Sequence, residues 1–144
     1  MKNKKILILH SSNDLYGASK IFLQIIQILK NSEYEIHVVL PSKGPLDNLI
    51  NQNAHVCYHS LGVLRKMYLN PLGLINRLVT NLKAIKFLSN YIKHNSIDLV
   101  YTNTSTILCG GIAARKNNIS SLFHIHEIPT SNKLYEFLSG KIIN

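Results

Sequence analysis

One segment near the start of the chain joins an apolar run, a small-residue turn and the beginning of a helical pattern: Lys4-Lys5-Ile6-Leu7-Ile8-Leu9-His10-Ser11-Ser12-Asn13-Asp14-Leu15-Tyr16-Gly17-Ala18-Ser19-Lys20. The apolar run stops at His10, and apolar residues recur at helical spacing after Ser19. A strand, a turn and a helix in this order direct backbone N–H groups and the positive end of a helix dipole toward one point. The segment therefore predicts a site for an anionic ligand, usually a phosphate.

The rest of the 144-residue chain repeats this alternation of strand and helix. Apolar, β-branched runs predict strands over residues 5–10, 35–40, 54–59, 97–101 and 121–124. Helical spacing predicts helices over residues 19–31, 46–53, 71–94, 107–116 and 132–143. Such alternation indicates one α/β domain, a Rossmann-like, doubly wound parallel sheet with strand order 3-2-1-4-5.

Polar and small residues follow three of these predicted strands. His10 with Gly17-Ala18 follows the first, Thr102-Asn103-Thr104 the fourth, and His126-Glu127 the fifth. The carboxyl ends of parallel strands share one edge of the sheet, and strands 1 and 4 flank the point where such folds bind ligands. We therefore expect the three groups to form one site.

The first group is suited to a ligand that approaches the backbone. Gly17 and Ala18 leave room for a phosphate or a sugar, and Ser19 is placed to cap the helix that follows. The alternative is an ordinary turn with a single glycine. The spacing matches neither the GxGxxG of dinucleotide-binding proteins nor the GxxxxGK[ST] of P-loops.

The other two groups also leave alternatives open. Thr102, Asn103 and Thr104 offer hydroxyl and amide groups for sugar hydroxyls or phosphate oxygens, or they cap the next helix. His124 and His126 are two residues apart, with Glu127 beside them. We favour a His/Glu pair that hydrogen-bonds a polyhydroxylated ligand. The alternative is a histidine with a structural role. A metal site would need His10 as a third ligand, and we expect neither metal nor cofactor.

The charge favours anionic partners other than nucleic acid. Sixteen Lys and Arg residues face seven Asp and Glu, a net charge of +9, and the cations are spread without interleaved aromatic residues. Arg77, Lys83, Lys86 and Lys93 lie opposite the apolar side of the helix predicted over 71–94. An anionic membrane surface or a phosphorylated ligand fits this pattern, and lysine-rich solvated faces are the alternative.

The sequence disfavours membrane-spanning proteins, secreted proteins and several classes of hydrolase. Its apolar runs are too short for a membrane span or a signal peptide, so a cytoplasmic location is expected. Cys57 and Cys109 lie far apart in apolar surroundings, which is typical of buried free thiols. The sequence contains no GxSxG, no HExxH and no paired acidic residues suited to catalysis.

Three segments together resemble the N-terminal half of glycosyltransferase family 4. They are residues 6–20, residues 98–104 (Asp-Leu-Val-Tyr-Thr-Asn-Thr) and residues 124–128 (His-Ile-His-Glu-Ile). Members are GT-B enzymes with two Rossmann-like domains, which move a sugar from a nucleotide donor to an acceptor with retention of anomeric configuration. The resemblance spans residues 4–144.

The resemblance also implies roles for individual residues. Gly17-Ala18 falls where the family has a small-residue loop near the donor diphosphate and the acceptor. His126 falls where many members have a histidine near the transferred sugar, and Glu127 where Glu or Asp is common. Tyr16 replaces the first glycine of the usual pair, whereas Lys20 keeps a cation nearby.

The resemblance implies a second domain that binds most of the nucleotide-sugar, and 144 residues leave no room for it. We therefore expect an acceptor-side domain that is inactive alone and needs a C-terminal domain or a partner subunit. A lipid-linked acceptor in surface polysaccharide synthesis and a peripheral position at the inner face of the membrane would suit its basic surface. The alternatives are a stand-alone module that binds a nucleotide or phosphate, and a non-catalytic subunit of a membrane-associated complex.

Overall fold

The structure, a computed structural model, describes residues 4–32, 34–64 and 70–125. It contains five strands and four helices in these ranges: β1 Lys5–Leu9, α1 Ala18–Asn31, β2 Glu35–Leu40, α2 Asp47–Ile50, β3 His55–Tyr58, α3 Pro71–Asn95, β4 Leu99–Thr102, α4 Cys109–Lys116 and β5 Ser120–Phe123. The predicted alternation is confirmed over these elements. The helix predicted over 132–143 lies outside the described residues.

The five strands form one parallel sheet in the order β3-β2-β1-β4-β5, as predicted. β1 is central because its apolar residues, Ile6 to Leu9, are buried on both faces. Ile6 pairs with Ile36 of β2 on one side and with Leu99 of β4 on the other. The chain leaves β1 and β4 in opposite directions across the sheet, which places the switch point between these two strands.

Helices cover both faces of the sheet. Ile6, Ile8 and Val38 point to the face where Phe22 and Ile26 of α1 pack. Leu7, Leu9 and Val100 point to the opposite face, against α3 and α4. The period of two along each strand thus separates the core into two apolar layers.

The second layer is packed tightly at one point near the carboxyl edge. A Cβ added to Gly110 of α4 would lie 2.4 Å from Leu9 Cδ1 and 2.7 Å from Thr102 Oγ1. Gly110 therefore lets α4 approach β1 and β4 closely. Cys109 beside it is buried, which raises the pKa of its thiol to about 12, and both Cys57 and Cys109 are free.

The apolar side predicted along α3 is buried over only part of its length. Ala84, Ile85, Leu88 and Ile92 in the second half are buried. The first half leaves Leu72, Ile75, Leu78, Val79 and Leu82 exposed. Within the described part of the chain, no helix has the length and apolar character that a membrane span requires.

Candidate functional site

The loops that follow β1 and β4 lie side by side at the carboxyl edge of the sheet. The backbone N–H of Asn103 donates to the Leu9 carbonyl at 2.9 Å, and that of His10 donates to the Val39 carbonyl at 3.2 Å. These bonds extend the strand pairing one residue beyond β1 and β4. They bring His10 and Asn103 together at the switch point, as the sequence predicts.

His10 is fully buried and joins both loops through its ring. Its Nε2 lies 3.0 Å from Ser19 Oγ, and its Nδ1 lies 3.1 Å from Asn103 Nδ2. The ring also stacks on Phe22 of α1, with ring centroids 4.5 Å apart. A polar side chain buried this deeply has to be hydrogen-bonded, and here its bonds connect the β1–α1 loop to the loop after β4.

The network fixes the protonation of the imidazole. Asn103 Nδ2 also donates to the Ala18 carbonyl at 3.4 Å, which identifies it as the amide nitrogen. Nδ1 of His10 is therefore an acceptor, and the Nε2–H donates to Ser19. The Ser19 hydroxyl in turn donates to Asp14 Oδ1 at 2.9 Å.

This arrangement is not a hydrolase triad, although it contains Ser, His and Asp. In a triad the carboxylate holds the histidine and the histidine takes the serine proton. Here the Ser19 hydroxyl donates a hydrogen bond to Asp14 instead of to the histidine, and Ser19 is buried. The chain of bonds holds the loop and does not activate a nucleophile.

Asp14 is the outermost member of the network. Burial raises the pKa of its carboxyl, but hydrogen bonds from the Tyr16 N–H and the Ser19 hydroxyl outweigh burial, and the pKa lies below its usual value. The bond from the Tyr16 N–H is 3.1 Å long. Asp14 is therefore ionised near neutral pH and fixes the backbone immediately before Gly17.

Asn13 anchors the other flank of the β1–α1 loop. Its Nδ2 donates to the Ser42 carbonyl and to Asp47 Oδ1, both at 2.8 Å, and its Oδ1 accepts the Leu46 N–H at 2.8 Å. Gly44 passes so close that an added Cβ would lie 2.5 Å from the Asn13 carbonyl oxygen. The loop is thus held against the segment that follows β2.

Between these anchors, the loop presents its apex outward. Tyr16 is 81% exposed, and Gly17 and Lys20 are exposed as well. Gly17 has φ +40°, and an added Cβ would meet nothing within 4 Å among the described residues. Its backbone is therefore accessible from outside, as the ligand hypothesis requires, while Ala18 begins α1.

The expected capping role of Ser19 is wrong. α1 begins at Ala18 with Gly17 at the N-cap position, and Ser19 lies inside the helix with its hydroxyl turned toward Asp14. The N–H groups of Ser19 and Lys20 donate to the carbonyls of Tyr16 and Gly17. The first turn of α1 therefore closes partly on its own loop, which leaves fewer amides for an anion than the sequence predicts.

The predicted residues after β4 lie at different depths. Thr102 is buried, and its Oγ1 faces Gly110 without a hydrogen-bond partner in the described chain, so it packs in the core and not at the surface of the site. Asn103 is buried in the His10 network. Thr104 is half-buried, and its hydroxyl accepts the Thr106 N–H at 3.1 Å within the loop. The alternative, a cap for the next helix, is wrong, because α4 begins at Cys109 without a side-chain cap.

The last predicted pair, His126 and Glu127, lies outside the described residues and stays a prediction. The neighbouring His124 hydrogen-bonds through Nδ1 to the Tyr101 hydroxyl. Among the described residues, no three His, Cys, Asp or Glu side chains are placed to hold a metal ion. The metal alternative depends on His126 and is not tested.

Sequence reasoning missed the anchors of the site. Asn13 and Asp14 were noted only as part of a polar loop, Ser19 only as a helix cap, and His10 as a strand end and a possible third metal ligand, without their hydrogen-bond partners. One signal was present: a histidine that ends a fully buried strand must find partners nearby. Which loop residues those partners are depends on tertiary contacts.

One curated relative has a significant match to the chain. It is the UDP-Gal:α-D-GlcNAc-diphosphoundecaprenol α-1,3-galactosyltransferase of Escherichia coli, 24% identical over 111 residues. The match covers 76% of this chain and 26% of the relative, so the chain spans about a quarter of the relative's length. No protein-family model matches the chain.

Solved structures resemble this chain more closely in fold than in sequence. MurG of Acinetobacter baumannii superposes with a TM-score of 0.68 at 18% identity, covering 96% of this chain and 39% of MurG. HepE of Anabaena, solved with UDP and glucose, gives 0.67 at 20% identity, covering 99% of this chain and 36% of HepE. The Rossmann-like sheet thus matches GT-B glycosyltransferases, and at these identities the likeness shows the fold alone.

Proposed function

We propose that residues 4–144 are the N-terminal, acceptor-side domain of a retaining GT-B glycosyltransferase, of the family 4 type. The observation that carries the proposal is the exposed Gly17 backbone at the switch point, held between two anchored flanks. The match to the E. coli galactosyltransferase and the fold shared with MurG and HepE support the same class. The donor is a nucleotide-sugar, and a uridine nucleotide is favoured by the names of those relatives.

The exposed part of the loop would contact the substrates. Gly17 and Ala18 admit a phosphate or a sugar to the backbone, since no side chain stands in the way at Gly17. Lys20 lies in the first turn of α1 with its side chain exposed, where it can balance a diphosphate. Tyr16 offers an exposed ring and hydroxyl beside them.

The other predicted residues take separate roles. Thr104, half-buried in the loop after β4, would offer its hydroxyl to the ligand, while Asn103 holds His10 and Thr102 lies in the core. His126 would position the transferred sugar, with Glu127 orienting or charging its imidazole. A C-terminal domain or partner subunit would supply the donor-binding wall, and the chain alone would not transfer sugar.

The acceptor that we propose is lipid-linked, as in surface polysaccharide synthesis. The E. coli relative acts on a sugar diphosphoundecaprenol, according to its name. The net charge of +9 suits a protein that works at the anionic inner face of a membrane. We therefore place this domain in the cytoplasm, peripheral to that face.

Sugar transfer in a reconstituted pair tests the proposal. The chain is combined with the part of the E. coli galactosyltransferase that it does not match, and transfer from UDP-galactose to a GlcNAc-diphosphate lipid is measured. We expect transfer by the pair and a loss of about 100-fold with His126→Ala, the scale of one general acid or base. The matched control is His94→Ala, an exposed histidine at the far end of α3.

Two results would count against the proposal. Full activity of His126→Ala would remove His126 from the site. Absence of transfer, together with micromolar binding of UDP by the chain alone in calorimetry, would favour the stand-alone nucleotide-binding module.

A further inference from the structure

The two halves of α3 bury different amounts of the same residue types. In the second half, Ala84, Ile85, Leu88 and Ile92 pack on the sheet. The first half leaves five large apolar side chains between 44% and 81% exposed: Leu72, Ile75, Leu78, Val79 and Leu82. We call these five residues the α3 stripe. Asn70 caps the helix start through a 2.7 Å bond to the Gly73 N–H, so the stripe lies on a well-formed helix.

The α3 stripe does not continue the core-facing side of the helix. At 3.6 residues per turn, its centre lies about a third of a turn away from Leu88 and Ile92. The same line along the helix continues with Lys86 and Lys93, which are exposed. One outward-facing side of α3 is therefore apolar near its start and basic further on.

The α3 stripe also extends past the sheet at the edge that holds the site. α3 has 25 residues and is about 37 Å long, whereas a strand of six residues spans about 20 Å. A helix that connects parallel strands runs opposite to them, so α3 begins at the carboxyl edge. Asn81 donates to the Gly62 carbonyl at 3.0 Å, and the residues before it reach beyond that contact.

The charge on α3 limits what can cover the stripe. The helix contains Arg77, Lys83, Lys86 and Lys93 and no acidic residue. Two copies that met stripe to stripe would add the positive charge of one helix to that of the other, and neither helix contains an acidic residue. An anionic bilayer offers the opposite charge to the lysines and an apolar interior to the stripe.

We propose that the α3 stripe docks into the headgroup and acyl boundary of an anionic bilayer, with Lys83 and Lys86 on the lipid phosphates. This orientation brings the carboxyl edge, with Gly17, toward the membrane surface. The inference rests on the proposed function only for the meaning of that orientation. Vesicle binding is measured without sugar transfer, so each proposal can fail separately.

Flotation with lipid vesicles tests the docking. The full chain is mixed with vesicles of phosphatidylglycerol and phosphatidylcholine, or of phosphatidylcholine alone. We expect binding only to the anionic vesicles, weakened by salt. The double variant Leu72→Ser/Ile75→Ser should lower the partition coefficient about tenfold or more, because these side chains would leave the acyl region.

Two controls distinguish binding through the α3 stripe from nonspecific hydrophobic binding and from nonspecific electrostatic binding. Ile28→Ser removes an apolar side chain of similar exposure from α1 and should leave binding unchanged. Lys83→Gln/Lys86→Gln should weaken binding to anionic vesicles, whereas Lys43→Gln/Lys116→Gln, the same loss of charge elsewhere, should weaken it much less. All substituted residues are exposed, and circular dichroism verifies the fold of every variant.

A fluorescent reporter measures depth directly because the chain contains no Trp. Leu78→Trp should shift its emission to the blue on anionic vesicles, and Ile28→Trp should not. Equal shifts at both positions, or equal flotation of the serine variant and the parent chain, would overturn the proposal. A concentration-dependent dimer that the serine variant abolishes, without vesicle binding, would assign the stripe to a second copy.

Discussion

The two halves of the sheet each contain a buried histidine that is hydrogen-bonded at both ring nitrogens. At the carboxyl edge, His10 contacts Ser19 and Asn103. Toward the amino edge, His37 contacts the Tyr91 hydroxyl at 2.9 Å and Glu35 Oε1 at 3.0 Å. The partners of His10 belong to loops that end in an exposed apex. Those of His37 belong to β2 and to the buried half of α3.

The difference lies in what each network supports. Glu35 also accepts from Lys5 Nζ at 2.8 Å, so the His37 network joins β1, β2 and α3 inside the body of the domain. The His10 network fixes the backbone on which Gly17 and Tyr16 are exposed. The same chemistry stabilises the core at one edge and positions a candidate ligand site at the other.

The largest expected contrast is between the two halves of α3. Leu88→Ala should lower the free energy of unfolding by about 2–5 kcal/mol, because it leaves a cavity in the buried half. Leu82→Ala, six residues earlier and exposed, should change it by less than about 0.5 kcal/mol. Urea unfolding measures both, and equal losses would show that the first half packs as tightly as the second.

Removing one hydroxyl from each network compares the two histidines. Ser19→Ala and Tyr91→Phe should each cost about 1–3 kcal/mol, because each removes the hydroxyl that hydrogen-bonds a buried imidazole nitrogen. Only Ser19→Ala should disturb the apex, visible as amide shifts at Tyr16 and Gly17 in NMR spectra. Apex shifts of the same size in Tyr91→Phe would contradict the separation of the two edges.

Substitutions at two residues with positive φ, one at each edge of the sheet, should change the stability of the fold in opposite directions. Gly17→Ala should destabilise the fold by about 1 kcal/mol, since φ is +40° there although space is open. At the amino edge, Ser96 follows the last residue of α3 with φ 53°, a left-handed position that glycine prefers. Ser96→Gly should therefore stabilise by up to about 1 kcal/mol, measured by thermal unfolding.

The smallest expected effect is a pH dependence from the His37 network. Burial lowers the pKa of His37 below its unfolded value of 6.5, although the bond to Glu35 acts the other way. The unfolded chain then binds more protons, so stability is complete above pH 6.5 and is lost as pH falls toward the folded pKa. His37→Gln should flatten unfolding free energies between pH 7.5 and 5.5. An unchanged slope would show that other groups cause the pH dependence of unfolding.

The sequence predicts the sheet well and the site only in part. Buried, β-branched runs and the turn at Gly17 predict the strand order and the edge where the loops meet. The partners of His10 depend on which loop residues tertiary packing brings to it. Thr102 illustrates the limit: its position at a strand end is predictable, but whether its hydroxyl faces the site or Gly110 depends on the depth of α4.

The apolar pattern of α3 shows a second limit. The spacing of Leu72, Ile75 and Leu82 continues that of Ile85 and Ile92 closely enough to predict one apolar side. The helix is longer than the strands it runs along, so its first half has no strand to cover. Sequence periodicity does not contain that length difference, which follows from the assembled sheet.

The most direct test of the central claim is to map where a substrate fragment binds. The isotope-labelled chain is titrated with a short-chain alkyl diphosphate of N-acetylglucosamine and followed by amide chemical shifts. We expect shifts confined to residues 10–20 and 103–106 at the carboxyl edge, with Glu35 and His37 unchanged. Shifts centred on His37 and Tyr91, or none at the Gly17 loop, would contradict the central claim.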